Sequence, residues 1–462
     1  MKAIVNISLL IIISINSLTA QNIDYKSYMY PEVSRKAMVF NGSVNHYSET
    51  TSLGAFGNVN HQSFSNSLMQ QKTRSFSSSL DFTSQLENRT IFPGVSGERI
   101  NNLWLSGNIQ NNQRNFKSDN KFFEHGYYGN IVYNNSSRNL TYLFSGFEYV
   151  VKKGKGRIEY ISDVFMASNI ADELYEQAIL GEPMSQENLF QFANEIAAMQ
   201  NARIFDNRRY RVEVTKHLSK WLTERNLIKE NSGIELATTV ADNWMFGLVN
   251  NRTNGKRHAF SFTPRLNYDQ IFNENEQKNY SFGGDLAFEY AKHTPTSRFL
   301  QINQVFVSGV NFSYDKFTSS QFDGVSDNLN LYALYRYEMG YNLSSRTIIN
   351  FNPQLTVLLG DIGDEYNLRP VWSSAIDMSY FINYRTRLSL NGNFAFRLYA
   401  VDNSDFVDSR ALSSSNLNSF GILGQSSLVI PINYNYINGN FPFGFQDNFL
   451  SNFRLSLNHI FY

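Results

Sequence analysis

The residues of this sequence best placed to do chemistry are charged. They recur on one face of segments in which polar and apolar residues alternate. They run from residue 265 onward, and both signs are present. The set is Arg265, Asp285, Glu289, Arg336, Glu338, Arg346, Asp377, Arg385, Arg387, Arg397 and Arg454. In strands whose other side is apolar, these groups would line an aqueous interior and act on a charged solute. The alternative is a self-neutralising ladder of ion pairs that fills or stiffens the interior, and the mixed signs favour it.

Histidines, which often serve hydrolytic and metal chemistry, are scattered along the chain. None of the seven lies four residues from another, so the sequence offers no helical metal site. His125, His258 and His293 lie near predicted strand ends, where a barrel hydrolase would need a histidine beside Ser or Asp, but no adjacent motif supports catalysis. The chain has no cysteine, which excludes disulfides and thiolate metal sites. We therefore predict no catalytic, cofactor-binding or metal-binding residues.

The elements that must position the charges are long strands with one apolar and one polar face. The clearest pair covers 329–359 around a turn at 342–345. The apolar positions of its first arm are Leu329, Leu331, Ala333, Tyr335, Tyr337, Met339 and Tyr341. Side chains of a strand alternate between its faces, and these arms are more than twice the length of about 5–6 residues usual in soluble sheets. We therefore predict an all-β transmembrane antiparallel β-barrel, with lipid at the apolar face and water at the polar face.

The composition agrees with a barrel. Aromatic residues make up 15% of the chain, which suits girdles at the membrane interfaces. The mean hydropathy is only −0.35, as expected where every second residue of a strand faces a polar interior. The net charge is zero, so nothing points to a nucleic-acid partner. Residues 1–20 carry a lysine at position 2, continue as an apolar run and end at Ala20, which predicts a cleaved signal peptide.

One stretch breaks the strand pattern. Between residues 152 and 230 apolar residues recur every three or four positions, which predicts a helical insert, and Ser185 is a good N-cap within it. The next apolar residues, within 234–248, are interpreted as a strand. The expected organisation is a signal peptide (1–20), a polar leader (21–34), the first strands (35–151), the helical insert (152–230) and the remaining strands (231–462).

Basic residues cluster in this predicted insert. They are Lys152, Lys153, Lys155, Arg157, Arg203, Arg208, Arg209 and Arg211. They would suit an anionic polymer or phosphorylated lipid headgroups. The alternative, which we favour, is a solvated helix face paired with nearby glutamates.

The end of the chain adds a resemblance. A signal peptide, many amphipathic strands and a last strand that ends in Phe461 and Tyr462 together resemble the porin-like outer-membrane β-barrel proteins of Gram-negative bacteria. Gln21 after the cleavage site and the body rich in Asn, Tyr and Phe resemble the Bacteroidota type. The resemblance implies an even number of strands, and the segments count to about 16–18. Counting back from a periplasmic C-terminus, however, puts the predicted long loops 315–326 and 401–418 on the periplasmic side, where short turns are expected.

The sequence therefore predicts a non-enzymatic outer-membrane channel or export barrel, with the helical insert as plug, gate or periplasmic docking piece. Barrels of about 16–18 strands leave an aqueous channel, whereas about eight strands are filled by their own side chains. The expected partners are outer-membrane lipid, the barrel assembly machinery through the C-terminal strand, and a periplasmic protein at the insert; no cofactor is expected. Two alternatives stay open: an outer-membrane hydrolase, and an adhesion or assembly scaffold whose lumen is closed by side chains.

Overall fold

The fold was derived from a computed structural model of the chain. It describes residues 23–47, 52–87, 98–117, 120–136, 140–201, 207–229, 233–247, 252–272, 277–297, 299–319, 323–344, 346–362, 365–383, 386–397 and 449–459. The described residues form one antiparallel sheet and one group of helices.

The sheet has fourteen described strands, each hydrogen-bonded to the next in chain order. They are β1 Val33–Tyr47, β2 Ser52–Asn66, β3 Gln70–Glu87, β4 Glu98–Phe116, β5 Lys121–Ser136, β6 Leu140–Tyr160, β7 Thr253–Phe272, β8 Gln277–Pro295, β9 Leu300–Ser319, β10 Asp323–Ser344, β11 Thr347–Ile362, β12 Glu365–Asn383, β13 Thr386–Arg397 and β14 Phe449–His459. This up-and-down order is that of a transmembrane antiparallel β-barrel, and the predicted fold class with its helical insert is confirmed.

The two faces of the sheet differ as the alternation predicts. On β7, Phe260 and Leu266 point to the outer face and are 65% and 55% exposed, as suits residues that contact lipid. On the same strand, Arg257, Ser261 and Arg265 point to the inner face and are buried. The inner face is thus polar but poorly accessible.

The sheet is strongly curved. The Arg157 guanidinium on β6 donates a hydrogen bond to the side-chain oxygen of Asn66 on β2 (3.2 Å), and the rings of Phe64 on β2 and Tyr160 on β6 have centroids 6.0 Å apart. In a flat sheet, strands four places apart would be separated by about 19 Å at about 4.8 Å per strand. The wall therefore curls around an interior, with β2 and β6 brought together at one end.

The insert between β6 and β7 holds four helices around one apolar core. They are α1 Ser162–Glu176, α2 Gln186–Asn201, α3 Asn207–Glu224 and α4 Gly233–Gly247. Their buried faces meet in a cluster that includes Leu174, Phe192, Ile196, Leu218 and Val240. Helices of this length are marginal alone in water, so mutual burial of these stripes is what stabilises them. No helix among the described residues is long and apolar enough to cross a membrane.

The residues just before β1 complete this core. Tyr25, in a short 3-10 helix (Tyr25–Ser27), stacks on Phe165 of α1 with ring centroids 4.3 Å apart. Tyr28 is also buried, and its hydroxyl donates to the side-chain oxygen of Asn194 on α2 (3.3 Å). The segment that was predicted as a simple polar leader (21–34) is therefore, from residue 23 to 30, a packed part of the helical unit. We call this segment together with α1–α4 the cap.

Two predicted boundaries of the insert were wrong. β6 continues to Tyr160, so residues 152–160 belong to the wall. Residues 233–247, predicted as strand, form α4, with Leu236, Val240 and Trp244 in the core. These three residues are spaced by four, which places them on one face of a helix, but an even spacing also keeps residues on one side of a strand. The pattern of apolar residues therefore fitted both structures.

The strand count follows from the same corrections. The described residues contribute fourteen strands rather than about 16–18. One predicted strand is α4, and another, within 428–436, lies outside the described residues. β13 pairs directly with β14 along its length.

The pairing also defines two ends of the sheet. The first residue of β1, the last residue of β14 and the insert share one end, which we call the cap end. Apart from the insert, connections at this end span 67–69, 117–120, 296–299, 345–346 and 384–385. The opposite end, which we call the loop end, has turns of similar length and also the two longest intervals between described strands, 88–97 and 398–448. The two predicted long loops, 315–326 and 401–418, therefore no longer conflict with a periplasmic C-terminus. β9 and β10 extend through most of 315–326, and no described strand separates β13 from β14.

Candidate functional site

Buried ion pairs occupy the inner face of the wall near the cap end. Arg114 on β4 donates through Nε to Glu124 Oε2 on β5 (2.6 Å), and Asn112 donates to the other carboxylate oxygen (3.0 Å). Lys152 Nζ on β6 contacts both carboxylate oxygens of Glu289 on β8, at 2.8 and 3.1 Å. The second pair reaches across β7, which lies between the two strands.

Further pairs continue around the interior. Arg265 Nη2 lies 3.1 Å from Asp285 Oδ2, and the Asn311 amide donates to the other oxygen of Asp285 (2.7 Å). Arg336 Nε lies 2.8 Å from Glu338 Oε1 on the same strand, and Asn303 on β9 donates to Glu338. Charges buried in this way are tolerated because each meets an opposite charge and further hydrogen bonds.

The structure separates the remaining predicted lumen residues. Arg346 lies in the β10–β11 turn, outside the wall, and donates from Nη2 to Asp242 Oδ1 on α4 (2.8 Å). Arg387 donates to the Ser379 hydroxyl on β12 and faces Asp377 electrostatically. Arg385 and the side chains of Arg397 and Arg454 lie outside the described residues. That these residues line a solute path stays a prediction.

Several inner-face charges were missed as site candidates. They include Arg114, Glu124, Lys152 and Arg257. Arg257 carried a usable signal, because it lies eight residues before Arg265 and therefore on the same side of β7. Lys152 was assigned to the helical insert, and the register of the strands around Arg114 and Glu124 was too weakly patterned to place them on a face.

The three histidines near strand ends do not share a site. His293 points inward, is buried, and has Nδ1 2.6 Å from the Thr253 hydroxyl. His125 and His258 alternate with the buried Glu124 and Arg257 and therefore lie on the outer face. Among the described residues there is no group of three or more His, Asp or Glu able to hold a metal ion.

The cap contacts the rim of the barrel at three separate places. At β6 and β7, the Ile161 amide donates to the Arg252 carbonyl (2.9 Å), and the Arg252 guanidinium lies 4.7 Å above the Phe165 ring. Near β1, α2 lies against the strand, and Tyr30, three residues before β1, packs edge-on against Tyr160 at the end of β6, with centroids 5.8 Å apart. At the β10–β11 turn, Asp242 of α4 binds Arg346, as described above. The contact at the β10–β11 turn lies three strands beyond β7.

A buried carboxyl group lies where the N-terminal segment meets the helices. Asp163, in the first turn of α1, is 1% exposed, and burial raises its pKa to about 7, an effect that the nearby Gln200 amide opposes. The pKa of the Tyr28 phenol is also raised, mainly by burial and secondly by the negative charge of Asp163. The cap therefore holds an acid that titrates near neutral pH.

No family model and no curated protein sequence matches the chain. Among solved structures it is similar to the translocator domain of the autotransporter NalP from Neisseria meningitidis, at 7% identity and TM-score 0.23 over 85% of this chain and 90% of that one. It is also similar to the ferric yersiniabactin uptake receptor FyuA from Yersinia pestis, at 8% identity and TM-score 0.32 over 83% of this chain and 63% of that one. A third is the β domain of the Bordetella autotransporter BrkA, at 8% identity and TM-score 0.24 over 76% and 99%. At such scores the likeness carries no argument, and the barrel rests on its strand order and its two faces.

Proposed function

We propose that this protein is an outer-membrane channel or export barrel, and that the cap closes its periplasmic opening. The observation that carries the proposal is the ion pair between Asp242 of α4 and Arg346 in the β10–β11 turn. A helical unit that contacted only β6 and β7 would lie beside the opening. Contacts at β6–β7, toward β1 and at the β10–β11 turn instead support a position across the opening.

The periplasmic assignment rests on the lengths of the connections. Outer-membrane barrels have short periplasmic turns and longer external loops. Apart from the insert, the cap end has only short turns, whereas the two longest intervals between described strands, 88–97 and 398–448, are at the loop end. We also propose that the protein is of the porin-like, Bacteroidota type and that residues 1–20 direct its export. In this proposal the barrel assembly machinery inserts the protein through β14, and a periplasmic partner binds the cap.

The inner face supports a stiff wall rather than a reactive site. The pairs Arg114–Glu124, Lys152–Glu289 and Arg265–Asp285 neutralise each other, as the ion-pair-ladder interpretation requires. The hydrolase alternative loses support, because His293 is on the inner face and His125 and His258 are on the outer one. We therefore propose a non-enzymatic role.

Removal of the cap tests this proposal. Replacing residues 162–251 with a short Gly/Ser linker keeps β6 and β7 joined and should leave the wall assembled. We expect the single-channel conductance in planar bilayers to rise well above that of the full chain. An assembled deletion variant with unchanged conductance would leave the cap as a docking module and contradict closure.

A cross-link provides the matched test in the full chain. The protein has no cysteine, so the double variant D242C/R346C can be joined by a cleavable bismaleimide. Joining the cap to the rim should suppress openings, and cleavage of the linker should restore them. The single variants, treated in the same way, control for loss of the ion pair alone.

A further inference from the structure

One buried arginine on the inner face has no ion-pair partner among the described residues. Arg257 lies on β7 four residues from its start, close to the cap end, and is 5% exposed. Its register neighbours are Gly156 on β6 and Ala291 on β8, so neither directly paired residue has a bulky side chain. A guanidinium has five N–H donors and no acceptor, and a buried charge is stable only with a counter-charge.

The nearest carboxylates are already engaged. Glu124 and Glu289 both interact electrostatically with Arg257. Glu124, however, accepts hydrogen bonds from Arg114 and Asn112, and both oxygens of Glu289 contact Lys152. The cluster of Arg114, Lys152, Arg257, Glu124 and Glu289 thus holds three cations and two carboxylates, a net charge of +1.

We propose that Arg257, assisted by Lys152, binds one oxyanionic group, a carboxylate or a phosphate, just inside the capped opening. One negative charge would neutralise the cluster, and an oxyanion matches the planar fork of the guanidinium. This inference rests on the proposed function and deepens it, because it names the class of solute that the barrel takes. The position near Thr253 places the site next to α1, so a bound solute would lie beneath the cap.

The test is anion binding by the purified full chain in detergent micelles. The thermal unfolding midpoint is measured against sodium phosphate and, separately, sodium acetate, with ionic strength held constant by sodium chloride. We expect at least one anion to raise the midpoint in a saturable manner, and the arm that responds identifies the oxyanion. The variant R257Q should bind it about tenfold more weakly, since hydrogen bonds to a charged group are lost. K220Q, which removes an exposed cation on α3, should retain the affinity of the unmodified chain.

A second variant keeps the test decisive if R257Q assembles poorly. E289Q releases Lys152 and raises the net charge of the cluster to +2, so the same anion should bind more tightly. No response of the unmodified chain to either anion, equal affinity in R257Q, or unchanged or weaker binding in E289Q would overturn the inference. Because binding in micelles does not depend on conduction, this result is independent of the cap-deletion experiment.

Discussion

Asp163 carries a carboxyl group that burial keeps protonated up to a pKa of about 7, against an ordinary value of 3.8. Between these two values the folded cap holds a proton that the unfolded chain has already released. The free energy of unfolding of the cap should therefore fall as pH rises through this window, by at most about 1.4 kcal/mol per pH unit, and level off above it. Fluorescence of Trp221 and Trp244, with the wall residues Trp104 and Trp372 changed to Phe, reports cap unfolding at pH 5 and pH 8.

D163N is the control for this pH dependence, because an amide fills the same space without titrating. Its cap should unfold at nearly the same temperature at both pH values. A pH dependence as steep in D163N as in the unmodified chain would show that other groups cause it.

Gly156 occupies a backbone conformation that side chains rarely adopt, with φ of +104°. A Cβ there would lie 2.1 Å from the carbonyl oxygen of Lys256 on β7. G156A should destabilise the barrel by more than about 1–2 kcal/mol, seen as a lower midpoint of heat-dependent gel migration. G57A is the matched control, since an added Cβ meets nothing within 4 Å there; equal loss in both variants would contradict the steric argument.

Neighbouring residues of one strand should respond in opposite ways to a charge. Leu355 lies near the middle of β11 on the outer face and is 40% exposed, whereas Gln354 faces inward and donates to the Thr356 hydroxyl. L355R should cost about 2–4 kcal/mol, because it puts a charge into lipid near mid-membrane, while Q354R should cost little. Denaturant titrations of the two variants in lipid vesicles measure the difference, and similar costs would mean that the faces are reversed.

The segment 23–30 should contribute strongly to cap stability although it is short. Tyr25 stacks on Phe165, and its hydroxyl lies 3.3 Å from that of Ser168. Y25A should lower the free energy of cap unfolding by about 3 kcal/mol, as for other buried aromatic truncations. Met29 in the same segment is 56% exposed, so M29A should have little effect on the same tryptophan signal. If Y25A were equally mild, the segment would not be part of the cap core.

For the molecule as a whole, the connection lengths predict which side of the membrane each end faces. Val212 on α3 of the cap is 68% exposed, and Asp323 begins β10 at the loop end and is also exposed. In a chain without other cysteines, D323C should react with a membrane-impermeant maleimide on intact cells. V212C should react only after the outer membrane is permeabilised. The reverse pattern would place the cap outside.

Much of the wall was predictable, because the asymmetry between lipid and water acts on each residue separately. The period-two alternation placed Leu331, Tyr335 and Leu355 on the outer face, and all three are exposed there. The three-to-four spacing within 162–224 predicted α1–α3 for the same local reason. The predicted function stayed general, because alternation identifies the strands of the barrel wall but not the solute that passes through the barrel.

The tertiary structure decided what depends on residues far apart in the chain. Local pattern could not distinguish α4 from a strand, and only its contacts with α1, such as Asn243 to Glu173, settle the question. Lys152 and Glu289 are 137 residues apart and meet because β6 and β8 both pair with β7 in registers that bring them to nearly the same level. Arg346 had the alternation of an interior charge, yet it binds Asp242, 104 residues earlier, at the rim. Pairing partners are set by strand register and curvature, which no single segment contains, so the sequence alone identified the charges but not their partners.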